Sequence, residues 1–205
     1  MKYYQHRFEN IDEYLHHRPP YLLVEKIDSL EERQIITSKQ VTEEEPWISG
    51  HFPGAPVFPG AIMQELVTQS AGILIAANYN PMESYITSDP KHNEYALGVL
   101  VKVDSARYRG FARPGDQLNA TVNLNEITGT LFDFSGHICV EGTQIMKINF
   151  RLCNIPSSSL TVISNSDSGL TSNGVSITGV RCVLGSVTLT GTTPYILIGR
   201  ELSVW

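Results

Sequence analysis

From Gly60 to Ala77 the chain is apolar on almost every side of a helical projection, with Ile62, Met63, Leu66, Val67, Ile73, Leu74 and Ile75 interrupted only by small or polar residues. That pattern predicts a helix buried all round. Downstream the period changes to two. Leu118, Ala120, Val122 and Leu124 alternate with polar neighbours over 117–127, Leu131 to Val140 follows a Thr-Gly turn, and Thr143 to Cys153 follows Glu141-Gly142, which predicts three strands joined by tight turns. Upstream, Phe8, Ile11, Tyr14 and Leu15 have helical spacing, whereas Leu22 to Leu30 and Ile35 to Val41 read as strands. Leu97 to Tyr108 reads as another, after a Pro-, Ser- and Asp-containing connection over 78–94 expected to be a surface loop. Consecutive strands with short turns make an antiparallel sheet. One such sheet and one all-apolar helix bury each other if the sheet curls around the helix, an α+β arrangement.

The loop leading into that helix is stiff. Pro53, Pro56 and Pro59 each fix φ and push the preceding residue toward extended geometry, so the segment Gly50–Gly60 cannot be helical and His51 is held within it. Pro59 stands near the first turn of the helix. Glu65, on that buried helix, must be paired, hydrogen-bonded or neutral, and burial raises its pKa. A carboxyl of that kind is a candidate proton donor, His51 a candidate base, and the backbone N–H groups at Gly60 a candidate site for developing negative charge. His51 taken alone would be an ordinary polar loop residue. Its position ahead of Gly60 and Glu65 makes it an acid/base candidate.

Composition narrows the classes. The 205 residues are 41% hydrophobic, enough for a substantial core, and the formal charge of −6 argues against nonspecific nucleic-acid binding. The amino terminus lacks the apolar region of a secretory signal, and no apolar run is read as long enough to span a bilayer; a cytoplasmic protein with no membrane insertion is expected. Cys139, Cys153 and Cys182 lack metal-ligand spacing, so neither a metal nor a cofactor is expected. Lys102, Arg107, Arg109 and Arg113 fall close together, either a solvated strand edge or a docking patch for an acidic partner. His6, His16, His17, His92 and His137 have no partner pattern and are expected to be structural or surface residues.

The run His51-Phe-Pro-Gly-Ala-Pro-Val-Phe-Pro-Gly60 followed by Glu65 closely resembles the β-hydroxyacyl-(acyl carrier protein) dehydratases of the FabZ type, whose fold is the hotdog. Further blocks extend the resemblance over roughly residues 8–153: His17-Arg-Pro-Pro-Tyr-Leu-Leu-Val-Glu-Lys26, Val103-Asp-Ser-Ala-Arg-Tyr108 and Arg113-Pro-Gly-Asp116. It implies dehydration of a (3R)-3-hydroxyacyl chain on acyl carrier protein to the trans-2-enoyl form in fatty acid or related acyl-chain synthesis. His51 would be the base, Glu65 the acid or orienting group, and the Gly60 N–H the carbonyl donor. Gln69 matches a family glutamine one turn after Glu65, and Phe52, Phe58 and Tyr108 are candidate tunnel-wall residues. The basic group, with Arg18 beside it, would receive the carrier protein. His51 and Glu65 face each other across a dimer interface in this family, which implies a homodimer; trimers of dimers also occur. Glu rather than Asp at position 65 favours the FabZ over the FabA type, which adds isomerisation.

Position 19 departs from the family, with Pro in place of the aromatic residue that gates the acyl tunnel, leaving Tyr21 as the nearest ring. The organisation expected is a dehydratase domain over 1–155 and a Ser/Thr/Gly-rich tail over 156–205, with strand-like alternation near 174–185 and 186–190. Two other functions stay open, a hotdog acyl thioesterase and a noncatalytic acyl-carrier-binding subunit.

Overall fold

The computed structural model describes residues 1–88 and 93–159. The strands anticipated near 174–190, and Cys182, lie outside them. Six strands, β1 (Lys26–Leu30), β2 (Gln34–Gln40), β3 (Tyr95–Tyr108), β4 (Gln117–Thr128), β5 (Leu131–Val140) and β6 (Thr143–Pro156), form one antiparallel sheet in the order β1-β2-β4-β5-β6-β3. One helix, α1 (Gly60–Asn78), connects β2 to β3 at the opposite edge and packs against β2 to β6. This is the hotdog fold.

The period-two residues supply the lining. Leu118, Ala120 and Val122 of β4, Phe132, Phe134 and Ile138 of β5, and Met146, Ile148, Phe150 and Leu152 of β6 are all fully buried against the helix. Phe132, Phe134 and Phe150 stack in series, with centroids 6.5 and 5.5 Å apart. From Leu66 to Asn78 every residue of α1 is buried. The expectation that no run suffices to span a bilayer is therefore corrected: α1 is long and apolar enough by length and composition, and the sheet covers that surface instead. The helix also approaches β3 closely. A Cβ on Gly98, which has φ +69°, would lie 3.1 Å from the Cα of Gly72, so backbone meets backbone there.

Three other expectations change. The helix suggested by Phe8, Ile11, Tyr14 and Leu15 is a single 3-10 turn, Ile11–Glu13; these side chains pack inward through tertiary contacts, the Tyr14 hydroxyl donating to the Phe8 carbonyl and accepting from its N–H. The strand expected from Leu22 starts only at Lys26, because the Leu23 N–H goes to the Gln69 side chain rather than to a neighbouring strand. The connection after α1 is not simply a surface loop. Met82, Tyr85, Thr87 and Asn93 are buried, the Tyr85 hydroxyl donating to the Tyr14 carbonyl and His6 Nε2 meeting the Met82 carbonyl at 2.9 Å.

The far end of α1 is clamped from the amino-terminal segment. Arg7 Nη1 donates to the Ala77 carbonyl and Nη2 to Asn78 Oδ1, at 2.9 and 2.8 Å, a cation against the helix's negative end. Asn78 Nδ2 in turn donates to the Glu31 carbonyl in the β1–β2 turn. The near end begins at Gly60, after the N-cap Pro59.

Candidate active site

His51 is gripped by one residue from two sides. Its carbonyl accepts the Val57 N–H at 2.9 Å, and its ring Nδ1 lies 3.0 Å from the Val57 carbonyl. A carbonyl can only accept, so Nδ1 carries a proton, and in the neutral ring Nε2 is then the nitrogen with the lone pair. The imidazole also stacks on Phe52, with centroids 4.2 Å apart. The loop is fastened to the connection between β3 and β4, where the Phe58 N–H donates to Ala112 O at 2.8 Å. Phe58 is wholly buried in the core, whereas Phe52 is 57% exposed.

The loop's approach is fixed by a buried cation. Lys39 of β2, 5% exposed, contacts Glu45 at 2.6 Å and Glu25 at 3.1 Å, and Trp47 Nε1 donates to Glu45 at 3.1 Å. The Glu45 carbonyl receives the Ile48 N–H, and the Ile48 carbonyl receives the His51 N–H. Charge pairing under the sheet thus reaches His51 through two backbone bonds.

Pro59 is the N-cap of α1, and the Gly60 N–H has no acceptor among the described residues. Gly60 sits under the Tyr108 ring at the end of β3; a Cβ there would be 2.9 Å from Tyr108 Cε1. The absence of a side chain is what lets the ring lie over the helix start.

Glu65 is one and a half turns into α1. Gln69 Nε2 donates to its Oε1 at 2.9 Å and to the Tyr21 carbonyl at 2.7 Å, while Gln69 Oε1 accepts the Leu23 N–H at 2.8 Å. Burial raises the Glu65 pKa, opposed by the Gln69 amide and the Tyr21 hydroxyl. His17, expected to be a structural or surface residue, has a side chain 39% exposed and places Nε2 3.9 Å from Glu65 Oε1. Nothing in its periodicity marked it; the available signal was its place in the block running on to Tyr21. The Tyr21 ring packs beside His17 at 5.5 Å, while Pro19 lines a separate cleft of about 670 Å³ with Phe8, Tyr14 and Leu22. Among the described residues no hydrogen bond or ion pair joins His51 to Glu65 within one chain.

The basic group is rearranged relative to the sequence reading. Lys102 is neutralised by Asp104 at 2.6 Å, and Arg18 is spent on the Leu15 and His17 carbonyls and the Thr87 hydroxyl. Arg107, Arg109 and Arg113 are exposed, with no carboxylate partner to their guanidinium groups among the described residues. Strand register adds two residues that sequence proximity could not show: Arg107 pairs with Lys147 of β6, and Lys147 with His137 of β5.

The class that fits this fold is the FabA-like domain proteins, whose domain model matches residues 15–149. Within that class the curated relatives are consistent. The 3-hydroxyacyl-(acyl-carrier-protein) dehydratase FabZ of Thiobacillus denitrificans is 35% identical over 140 residues, covering 68% of this chain and 90% of the relative. That of Coxiella burnetii is 35% identical over 139 residues, covering 67% and 92%. The chain belongs to the FabZ family of 3-hydroxyacyl-(acyl-carrier-protein) dehydratases. In fold it is also similar to a chain of the dehydratase heterocomplex ApeI:P from Xenorhabdus doucetiae, with TM-score 0.56 and 22% identity over 73% of this chain and 92% of that one.

Proposed function

We propose that this chain dehydrates (3R)-3-hydroxyacyl chains on acyl carrier protein, with His51 as base and Glu65 as acid. The observation that carries the reading is the His51–Val57 contact, which in the neutral ring leaves Nε2 as the nitrogen with a lone pair. The thioester carbonyl of the substrate accepts the Gly60 N–H, which makes the C2 proton acidic. His51 Nε2 takes that proton, the C2–C3 double bond forms as the C3–O bond breaks, and Glu65 gives its proton to the departing hydroxyl, releasing water. Transfer of the proton from His51 back to Glu65 through water resets the site. The buried, Gln69-supported carboxyl suits this role because it is held nearer neutrality of charge than an ordinary glutamate.

The working unit in this reading is a homodimer. His51 and Glu65 do not meet within one chain, and β3, one edge of the sheet, runs 14 residues to Tyr108 at the helix start with no strand on its open side among the described residues. Pairing two copies along β3 buries that edge and brings each His51 toward the partner's helix. Tyr21 supplies the ring beside Glu65 that Pro19 lacks, and Phe52 and Tyr108 flank the entrance. Arg107, Arg109, Arg113 and Lys147 form the surface for the acidic carrier protein, in the cytoplasm where that carrier works.

The test is hydration of a short trans-2-enoyl-acyl carrier protein, followed by ultraviolet absorbance. His51→Ala and Glu65→Gln should each lose about 10²–10⁴-fold in rate with the fold intact. Dissociating and mixing the two inactive variants should restore about a quarter of wild-type activity, since half of the dimers then hold one complete site. No recovery on mixing argues for sites within single chains; an inactive wild type that binds carrier protein argues for a noncatalytic subunit, and release of free thiol for a thioesterase.

A further inference from the structure

Glu65 faces a second side chain that the reaction scheme does not use. His17 Nε2 lies 3.9 Å from Glu65 Oε1, and His17 Nδ1 is buried with no hydrogen-bond partner among the described residues. That orphan atom decides the tautomer. Burial, with the Arg18 charge second, lowers the His17 pKa, so the ring is neutral and carries one N–H. A proton on Nδ1 would bury a donor with nothing to receive it. On Nε2 it points at the carboxyl and leaves only a lone pair unmatched.

The surroundings hold the pair in place. Gln69 bonds both the Tyr21 carbonyl and the Leu23 N–H, which fixes the segment carrying His17 against the helix turn carrying Glu65. Arg18 is anchored to the Leu15 carbonyl at 2.8 Å and the Thr87 hydroxyl at 3.3 Å rather than to the carboxyl. The titratable groups about Glu65 among the described residues are His17 and Tyr21, both from the segment before β1; from α1 itself the partner is the uncharged Gln69. At 3.9 Å the His17 contact is longer than a hydrogen bond, and contacts of this kind in enzymes tighten when substrate is bound.

We propose that His17 is a positioning residue for Glu65, its Nε2–H closing on the carboxylate left when Glu65 protonates the departing hydroxyl and holding that carboxylate until it regains a proton. The functional half of this statement rests on the dehydratase reading; the contact itself does not. His17 neither gains nor loses a proton in the cycle. It gives the transient carboxylate a second donor beside Gln69, so its removal makes Glu65 harder to ionise.

The experiment is titration of the Glu65 carboxyl by carbon-13 NMR in protein labelled at the glutamate side-chain carboxyl, with Glu65→Gln identifying the signal. His17→Leu should raise the Glu65 midpoint by about half a pH unit or more, and His17→Gln, whose amide nitrogen reaches where Nε2 does, should bring it back. Dehydration by His17→Leu should show kcat down about tenfold with KM little changed and the alkaline limb of its pH profile moved upward, again restored by His17→Gln. An unmoved Glu65 midpoint in His17→Leu overturns the proposal, as does a Gln variant that titrates like the Leu variant. If the Leu variant does not fold, His17→Asn, too short to reach Glu65, takes its place under the same criteria. A wild type without activity would remove the dehydratase reading, while the Glu65 midpoints would still decide the contact.

Discussion

Gln69 and Glu65 stand one helical turn apart on α1 and share a 2.9 Å contact in which the amide donates to the carboxyl. The same amide nitrogen reaches the Tyr21 carbonyl, and the amide oxygen takes the Leu23 N–H. One side chain therefore joins the acid candidate to the segment entering β1. Gln69→Leu strips the partner from a buried N–H, a carbonyl and the carboxyl at once. It should cost about 2–4 kcal/mol of stability in urea unfolding, and lower activity as well.

Glu65 and His17 should give opposite slopes to stability against pH. Burial raises the Glu65 pKa, so the folded state binds that proton more tightly; its contribution is complete below the unfolded value of about 4.3 and is lost as pH rises through the folded value. Glu65→Gln should therefore melt progressively higher than wild type as pH is raised from 4 to 8. His16 and His17 behave the other way. Burial lowers both pKa values, so their contribution is present above about 6.5 and is lost as pH falls through the folded values. His17→Gln should flatten the acid side of the melting curve.

Lys39 is surrounded by Glu45 and Glu25 under the sheet. Lys39→Met leaves the Glu45 carboxylate buried and unpaired, and should cost about 3–5 kcal/mol in denaturant unfolding. Glu25, half exposed, is worth much less; Glu25→Gln should change stability by less than about 1 kcal/mol. Because Glu45 leads through Ile48 to His51, any folded Lys39 variant should also lose kcat.

On the docking surface proposed across β5, β6 and β3, carrier binding and chemistry are separable by experiment. Lys147→Glu and Arg107→Glu should raise KM for a carrier-bound substrate about tenfold or more, with a smaller effect in high salt, and leave a short pantetheine thioester unaffected. Lys102→Ala should do little, since Asp104 already neutralises that ammonium.

What the sequence disclosed was what local chemistry controls. The all-apolar stretch from Gly60 ends within one residue of the observed helix, and the alternation over 117–153 places β4, β5 and β6 with the correct face inward. The His51 loop was legible because three prolines restrict it. What failed were contacts between distant segments. His17 reaches Glu65 across 48 positions, Lys147 reaches Arg107 through strand register, and the Leu23 N–H is claimed by a side chain instead of a strand. Phe8 to Leu15 has the spacing of a helix, yet its aromatic residues are held by Tyr85 and by each other, and tertiary packing overrode the local pattern.

The meeting of Gly72 and Gly98 makes two distant positions dependent on one another. A methyl group on Gly98 pushes into the Gly72 backbone and also meets a left-handed φ, whereas one on Gly72 meets only Leu15 Cδ2 at 3.1 Å, the end of a side chain that can shift. In a saturation library scored by growth or by folding, the Gly98 column should be nearly empty while Gly72 accepts alanine, and no substitution at Gly72 should rescue one at Gly98. The helix and its edge strand are thereby held in one relative setting, fixed from the strand side alone.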